Sequence, residues 1–403
     1  MIQICTLALQ KNNMETLFPF FIILFSGLFL TEFFHRIHLP WVVALIISGF
    51  VVGPSGFGVI EPSQTLTFLA GLGLVFVMFM AGIETDFFSK SRESHFGKSF
   101  MMAFVGASLS WVLGYILATT LGLPLLASVL LGIIFISSSV AVAMPILEGS
   151  GIIHKELGKT ILSTMIIQDV LSLVLFSVFS RVVSPDAGLN VLLVYSILIA
   201  AFFFLRKGIP LVRGYFVKEF HTDEQDIFEQ ELRAVLVLLV GIVAFFALLG
   251  IHEILAAFLA GMILTDLISH RDIKKNIHAL GYGLFIPIFF ASVGVTTQID
   301  NINFGENGIL LLFLSIIFGT LLIRYLSSYI AARSVHLPNR QAKVVAASMI
   351  PQLSTTLALG FAGKQMGLFD DTVVAALVLM SIISIFIAPL LLKFSLRHLG
   401  HLK

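Results

Sequence analysis

The sequence predicts an all-α polytopic membrane protein: thirteen transmembrane helices, built as inverted six-helix repeats with two discontinuous helices that cross. Three observations carry this reading. Apolar residues make up 58% of the 403 residues and charged ones only 12%, against about 25% charge in a soluble domain. The apolar residues lie in long continuous runs near the roughly 20 residues that a bilayer-spanning helix needs, without the alternation of a membrane barrel. Two runs in matching places of the two halves are interrupted by proline and hydroxyl residues. Mean hydropathy of +1.03 excludes disorder, which needs low hydrophobicity. A single cysteine, Cys5, excludes a disulfide framework and a cysteine metal site. A net charge of +1 argues against a nucleic-acid partner. Without a P-loop there is no nucleotide-coupled pump. The expected partner is the lipid bilayer, with no enzyme chemistry and no cofactor.

Charged and Pro/Gly-rich breaks delimit the segments in order. The first three lie near 16–34, 40–60 and 65–84. The fourth, 98–120, follows the charged stretch holding Lys90 and Arg92. The fifth, 124–147, and the sixth, 158–182, flank Lys155. The seventh, 189–206, ends at Arg206 and Lys207. The eighth and ninth, 232–250 and 252–268, precede Arg271, Lys274 and Lys275. The tenth to thirteenth lie near 277–296, 307–332, 341–362 and 371–393, leaving 394–403 as a short cytoplasmic tail. With the N-terminus outside, 20 Lys and Arg residues face inward and only Lys11, Arg181 and Lys364 face outward. This asymmetry sets the orientation in the inner membrane. Seven crossings separate the first and eighth segments, so two six-helix halves around a linker helix, 189–206, are inverted copies, as in many secondary transporters.

The fifth segment reads IIFISSSVAVAMPIL, with Ser137, Ser138, Ser139 and Pro145. The twelfth reads SMIPQLSTTLAL, with Pro351, Gln352, Ser354, Thr355 and Thr356. Proline removes a backbone donor and clashes with the preceding turn, and hydroxyls satisfy freed carbonyls. Interrupted helices in matching positions point to a binding site at the membrane midplane.

Two charges fall near mid-span, Asp169 in the sixth segment and Arg324 in the eleventh. Intramembrane charges cost at least about 2.5–3.5 kcal/mol on insertion scales and default to function; a buried ion pair between the two is the structural alternative. Burial disfavours an ionised carboxylate and a nearby cation favours it, so a proton and a metal ion compete for Asp169. Gln168 offers a neutral carbonyl, and the fifth-segment hydroxyls offer more oxygen. Thr164 and Ser172 lie at helical spacing from Gln168 and Asp169. Arg324 stays charged and compensates the empty carboxylate or a negative half-helix end. Glu32, Glu84, Asp86, Glu148, Asp266, His252 and Glu253 lie at segment ends, where solvation at the interface accounts for them. His35, His38, His95, His154, His270 and His278 read as solvated loop groups, and HTDEQDIFEQE (221–231) as a solvated linker.

Several motifs in order resemble the monovalent cation:proton antiporter-2 family. LPWVVALIISGFVVGPSGFGVI (39–60) looks like its second-helix signature and LGLVFVMFMAGIETD (72–86) like its third. IHEILAAFLAGMILTD (251–266) and LGYGLFIPIFFASVGVTTQID (280–300) resemble its ninth and tenth spans. The resemblance covers essentially the whole chain. It implies the NhaA/NapA-like antiporter fold in a homodimer, each subunit a single exchanger unit over 1–393. By that analogy the dimer domain is 16–84 and 232–296, and the core domain 98–182 and 307–393. Many sodium:proton members carry Asp-Asp at the ion site; Gln168-Asp169 resembles the Kef-type potassium efflux branch. The chain departs from that branch in lacking its C-terminal nucleotide-binding domain, so nucleotide or glutathione gating is not carried over. A separate cytoplasmic regulatory subunit is left open. IPQLSTTLAL also replaces the branch's Gly-Glu-Phe pattern.

The function expected is secondary antiport of H⁺ against Na⁺ or K⁺ by alternating access, electroneutral and 1:1 because one carboxylate carries the exchange. Two other readings compete. A sodium-coupled organic-anion symporter on the same fold requires a larger polar cavity and a second cation site. A transport-inactive membrane sensor module is opposed by the intact Asp169 and Arg324.

Overall fold

The computed structural model describes residues 2–36, 41–85, 96–153, 155–183, 191–220, 230–265, 271–297 and 309–398, and these contain helices and turns but no strand. The helices are α1 (Ile2–Arg36), α2 (Trp41–Val52), α3 (Gln64–Glu84), α4 (Phe96–Thr120), α5 (Leu125–Ile134), α6 (Val140–Gly149), α7 (Glu156–Val183), α8 (Val191–Phe220), α9 (Gln230–Leu248), α10 (Glu253–Leu264), α11 (Arg271–Leu280), α12 (Ile286–Thr296), α13 (Ile309–Ser334), α14 (Asn339–Ser348), α15 (Ser354–Gln365) and α16 (Asp371–His398). A π-helical turn, Gly281–Phe285, joins α11 to α12. Among the described residues six helical stretches are long and apolar enough to cross a membrane. Phe18, Phe21, Phe25, Phe29 and Phe33 on α1 and Leu310, Leu311, Leu314 and Phe318 on α13 are exposed, as lipid-facing surfaces require and soluble surfaces avoid.

Each predicted segment overlaps a helix, a joined pair or a broken pair. The fifth is broken into α5 and α6, the twelfth into α14 and α15. Of the two prolines, only Pro351 lies in a break. Pro145 sits inside α6, so the first interruption, at 135–139, belongs to the ISSS stretch rather than to the proline. The second segment also ends early: α2 stops at Val52, where the GPSG sequence turns the chain.

The chain forms two compact units. The first comprises Met1–Glu84, Leu192–Leu249 and Ala256–Asn301; the second comprises Thr85–Val191, Gly250–Leu255 and Ile302–Lys403. In the first, α2 and α12 pack backbone to backbone. A Cβ on Gly49 would overlap Ala291, and one on Gly294 would overlap Ile46 and Phe50. Small residues permit this approach, which replaces the hydrophobic drive that lipid removes. In the second, α4 packs on α5, α7 and α13, while α13 packs on α14 and α16. Ala331, Ala332, Ala342, Val345 and Met349 share one buried cluster with Met102, Ile161 and Met165.

Among the end groups, Glu32, Glu84 and Glu148 are exposed, while His252 and Glu253 are half-buried. Asp86, Asp266, His38, His95, His154, His270 and residues 221–229 lie outside the described residues, as do 399–403 of the tail. The side chain of His35 is likewise outside them.

The backbone contact yields a test. Gly294→Ala should lower the melting temperature in detergent, since overpacking costs about 1–3 kcal/mol. Gly71→Ala on α3, where a Cβ meets nothing within 4 Å, should hold or raise it, because helical glycine is entropically costly. Equal melting temperatures for the two variants would refute the close packing.

Candidate ion-exchange site

The site lies in the second unit, where the two breaks meet. A broken helix leaves carbonyls at one end and amides at the other without helical partners, and in lipid these must be satisfied internally. The break at 135–139 is held peptide by peptide. The Ile136 carbonyl accepts from Arg324 Nη1 at 2.8 Å. The Ser137 carbonyl accepts from Gln352 Nε2 at 2.9 Å. The Ser138 amide donates to Asp169 Oδ1 at 3.1 Å. The Ser139 amide donates to the Pro351 carbonyl at 2.6 Å, tying the first break to the second.

Arg324 comes from α13 and is fully buried. Its Nε donates to the Met349 carbonyl at 3.1 Å, so one guanidinium caps the C-terminal ends of both α5 and α14. A cation there neutralises two negative helix ends. Nη1 also reaches Ser110 Oγ at 3.3 Å, and Nη2 donates to Gln168 Oε1 at 3.1 Å. Among the described residues Arg324 and Asp169 form no ion pair: the arginine turns to carbonyls and an amide, not to the carboxylate. Asp169 is half-buried and lies against the N-terminal, positive end of α6.

The predicted residues separate on this geometry. Asp169, Ser138, Ser139, Ser137, Gln352, Pro351, Thr356 and Arg324 meet at the crossing. The Ser138 group that touches Asp169 is its amide; its hydroxyl faces Met349 Sδ at 3.8 Å. Ser137 Oγ pairs with Thr356 Oγ1 at 3.0 Å. Gln168 is buried, with Oε1 engaged by Arg324 and Nε2 donating to the Ala103 carbonyl at 3.4 Å. It fits because residue 106 is glycine; a Cβ there would stand 2.7 Å from Nε2. Thr164 Oγ1 donates to the Thr160 carbonyl at 2.8 Å, and Ser172 Oγ to the Asp169 carbonyl at 2.9 Å. Both hydroxyls thus serve α7 itself rather than the carboxylate. Ser354 and Thr355 open α15.

Sequence reasoning missed Ser110, Met349 and Ser384. The Ser384 hydroxyl accepts from the Gln352 backbone amide at 3.1 Å and shares its proton between the Ser381 carbonyl at 2.8 Å and the Gln352 carbonyl at 3.2 Å. A signal for it was present. Asp169 follows its amide partner by 31 residues and Ser384 follows Gln352 by 32, offsets that differ by one residue.

Half-helices meeting end to end beside a membrane carboxylate mark secondary transporters built from inverted repeats, and the chain is of that class. It belongs to the family described as sodium/hydrogen exchanger, transmembrane, whose profile matches residues 20–398. That family is one of transporters. The chain is 27% identical over 385 residues to the probable Na(+)/H(+) antiporter 3 of Methanocaldococcus jannaschii, covering 94% of this chain and 97% of the relative. It is 26% identical over 384 residues to the Na(+)/H(+)-K(+) antiporter GerN of Bacillus cereus, covering 94% and 96%. A glutathione-regulated potassium-efflux system protein of Haemophilus influenzae is 24% identical over 334 residues, 80% of this chain and 51% of that protein. The fold matches the sodium proton antiporter MjNhaP1 of Methanocaldococcus jannaschii with a TM-score of 0.69 at 17% identity, over 97% and 99% of the two chains.

The double cap predicts how Arg324 variants behave. Lysine keeps the charge but presents one ammonium in place of a planar fork, so it leaves either Ile136 or Met349 without its donor. A lost hydrogen bond to a charged group costs about 1.5–3 kcal/mol. Arg324→Lys should therefore melt well below the parent, and Arg324→Ala lower still. Parent-like melting of Arg324→Lys would show that charge alone suffices.

Proposed function

We propose that this antiporter exchanges H⁺ for Na⁺ or K⁺ in a 1:1, electroneutral cycle, with Asp169 as the group both ions share. The observation that carries the reading is the unequal pair of bonds at the crossing. Each break offers one amide to the helix that follows the broken pair, α7 or α16. In the first half the acceptor is a carboxylate, Asp169; in the second it is a hydroxyl, Ser384. One half of the crossing can titrate and the other cannot. Gln168 cannot ionise either, and its carbonyl is engaged by Arg324. Oxygen ligands suit Na⁺ and K⁺ alike, and relatives named for sodium, for sodium with potassium, and for potassium efflux all align with this chain. The symporter and sensor readings find no support among them.

The second unit, which carries the site, serves as the core domain, and the first as the dimer domain of a homodimer. The linker lies at 189–206. Asp169 is open to one side of the membrane at a time, with the N-terminus outside and the C-terminus cytoplasmic in the inner membrane, as the distribution of Lys and Arg supports.

Asp169→Asn should remain folded and lose exchange in proteoliposomes loaded with a pH dye. Recovery of the dye signal on adding Na⁺ or K⁺ to that variant would sink the mechanism. For the stoichiometry, a valinomycin-imposed potential should leave the Na⁺-driven rate unchanged. One net charge crossing the membrane is worth about 2.3 kcal/mol per 100 mV, so a rate that follows voltage would reject the 1:1 cycle.

A further inference from the structure

We infer that Gln352 is a positioning residue for Asp169, acting through the single peptide group that joins Ser137 to Ser138. This rests on the reading of Asp169 as the exchange site. The carbonyl of that peptide accepts from Gln352 Nε2 at 2.9 Å, and its amide donates to Asp169 Oδ1 at 3.1 Å. The structure holds no cis peptide among the described bonds, so carbonyl and amide point in opposite directions across one rigid plane. Gln352 therefore grips the far edge of the plane whose near edge faces the carboxylate. Without that grip the plane is free to turn about its flanking dihedrals, because residues 135–139 are not helical.

The grip is built to be firm. Gln352 is fully buried. Its Nε2 also reaches the Ile134 carbonyl at 3.4 Å, while its Oε1 takes no hydrogen bond from the protein; the amide is oriented by its donor side alone. Its backbone amide donates to Ser384 Oγ at 3.1 Å, and that hydroxyl shares its proton between the Ser381 carbonyl at 2.8 Å and the Gln352 carbonyl at 3.2 Å. A donor on a peptide carbonyl also polarises the peptide and strengthens its amide as a donor. Gln352 thus favours the carboxylate form of Asp169 and biases the competition between proton and cation, without touching either ion.

The charged surroundings leave room for this effect. Around α7, the titratable groups are Lys98 and Tyr115 on α4, Glu148 on α6, Arg340 and Lys343 on α14, Lys364 on α15, and His252, whose ring packs against Phe176 at 4.8 Å. On α7 itself they are Glu156, Lys159 and Arg181. Along the chain all lie more than a helical turn from the crossing residues. Arg324 is the charged group at the crossing, and its donors are directed to Ile136, Met349, Ser110 and Gln168.

The test is Gln352→Met, which keeps the length and removes the donor, assayed in proteoliposomes across pH with Na⁺ and then K⁺. The expected result is an alkaline displacement of the exchange profile by about half to one pH unit, a roughly three- to tenfold change in the proton's advantage. The apparent KM for Na⁺ should rise at neutral pH and return to the parent value at alkaline pH, with the maximal rate preserved. A lowered maximal rate with a fixed pH profile would assign Gln352 to architecture and overturn the inference, as would a profile like the parent's in every respect. Ser384→Ala, which removes the acceptor of the Gln352 backbone amide, should displace the profile the same way by less. If Gln352→Met does not fold, a fixed profile in Ser384→Ala overturns the inference. Asp169→Asn separates the two levels: loss of exchange there with no displacement in Gln352→Met defeats the positioning role alone, whereas retained exchange in Asp169→Asn defeats the site and this role together.

Discussion

Unwound backbone in an apolar interior must find hydrogen-bond partners, and the arrangement of the second unit follows from that constraint. Four consecutive residues, Ile136 to Ser139, each place one backbone polar atom on a partner from outside the break. Three of those partners are carbonyl or fixed donor groups and one, Asp169, is a carboxylate, the group proposed to exchange ions. The chain thus uses the demand of the broken helix to aim an amide at a carboxylate. Polar groups left unpaired at this depth would cost several kcal/mol each, so the break and its partners have to be present together.

The two halves of the crossing share a backbone plan and differ in side chains. Arg324 caps both C-terminal half-helix ends, whereas Gln352 reaches only from the second break to the first. The second half has a hydroxyl where the first has a carboxylate. Repetition supplies the scaffold and substitution supplies the chemistry. The hydroxyl in the second half also clamps Gln352, so the non-titrating half helps to hold the titrating one.

Much of this was legible in the sequence because membrane physics leaves few options. Long apolar runs had to be helices, and a run broken by ISSS or by IPQLSTT had to find internal partners. Asp169 and Arg324 stood out because charge at mid-span is costly. What the sequence concealed was direction. Spacing put Thr164 and Ser172 on the right faces of α7, but a hydroxyl on a helix easily returns to the carbonyl three or four residues back, and both do. Gln168 is adjacent to Asp169 and for that reason points elsewhere, since neighbouring helical side chains diverge. Pro145 reads with Ser137, Ser138 and Ser139 as the interruption, yet α6 accommodates the proline, and the unwinding falls on the serines. Ser384 was hidden as an ordinary polar residue in an apolar helix; only its offset from the second break gives it away.

The distribution of charge at the crossing bears on how exchange can be neutral. Arg324 contributes one fixed positive charge, held by the negative ends of two half-helices rather than by Asp169. It therefore keeps its partners whether the carboxylate is empty, protonated or holding a metal ion. The proton-loaded and cation-loaded sites then carry the same net charge, because either ion adds one unit to Asp169. Two loaded states that are alike in charge meet the same dielectric penalty in the membrane, and neither gains from the potential. What remains to distinguish them is geometry at Asp169. The Ser138 amide opposes the proton by favouring the carboxylate, and it is aimed by a peptide plane whose other edge Gln352 holds. On the proposed reading, selection between proton and cation depends on the orientation of one peptide group, while the arginine supplies the constant background against which that choice is made.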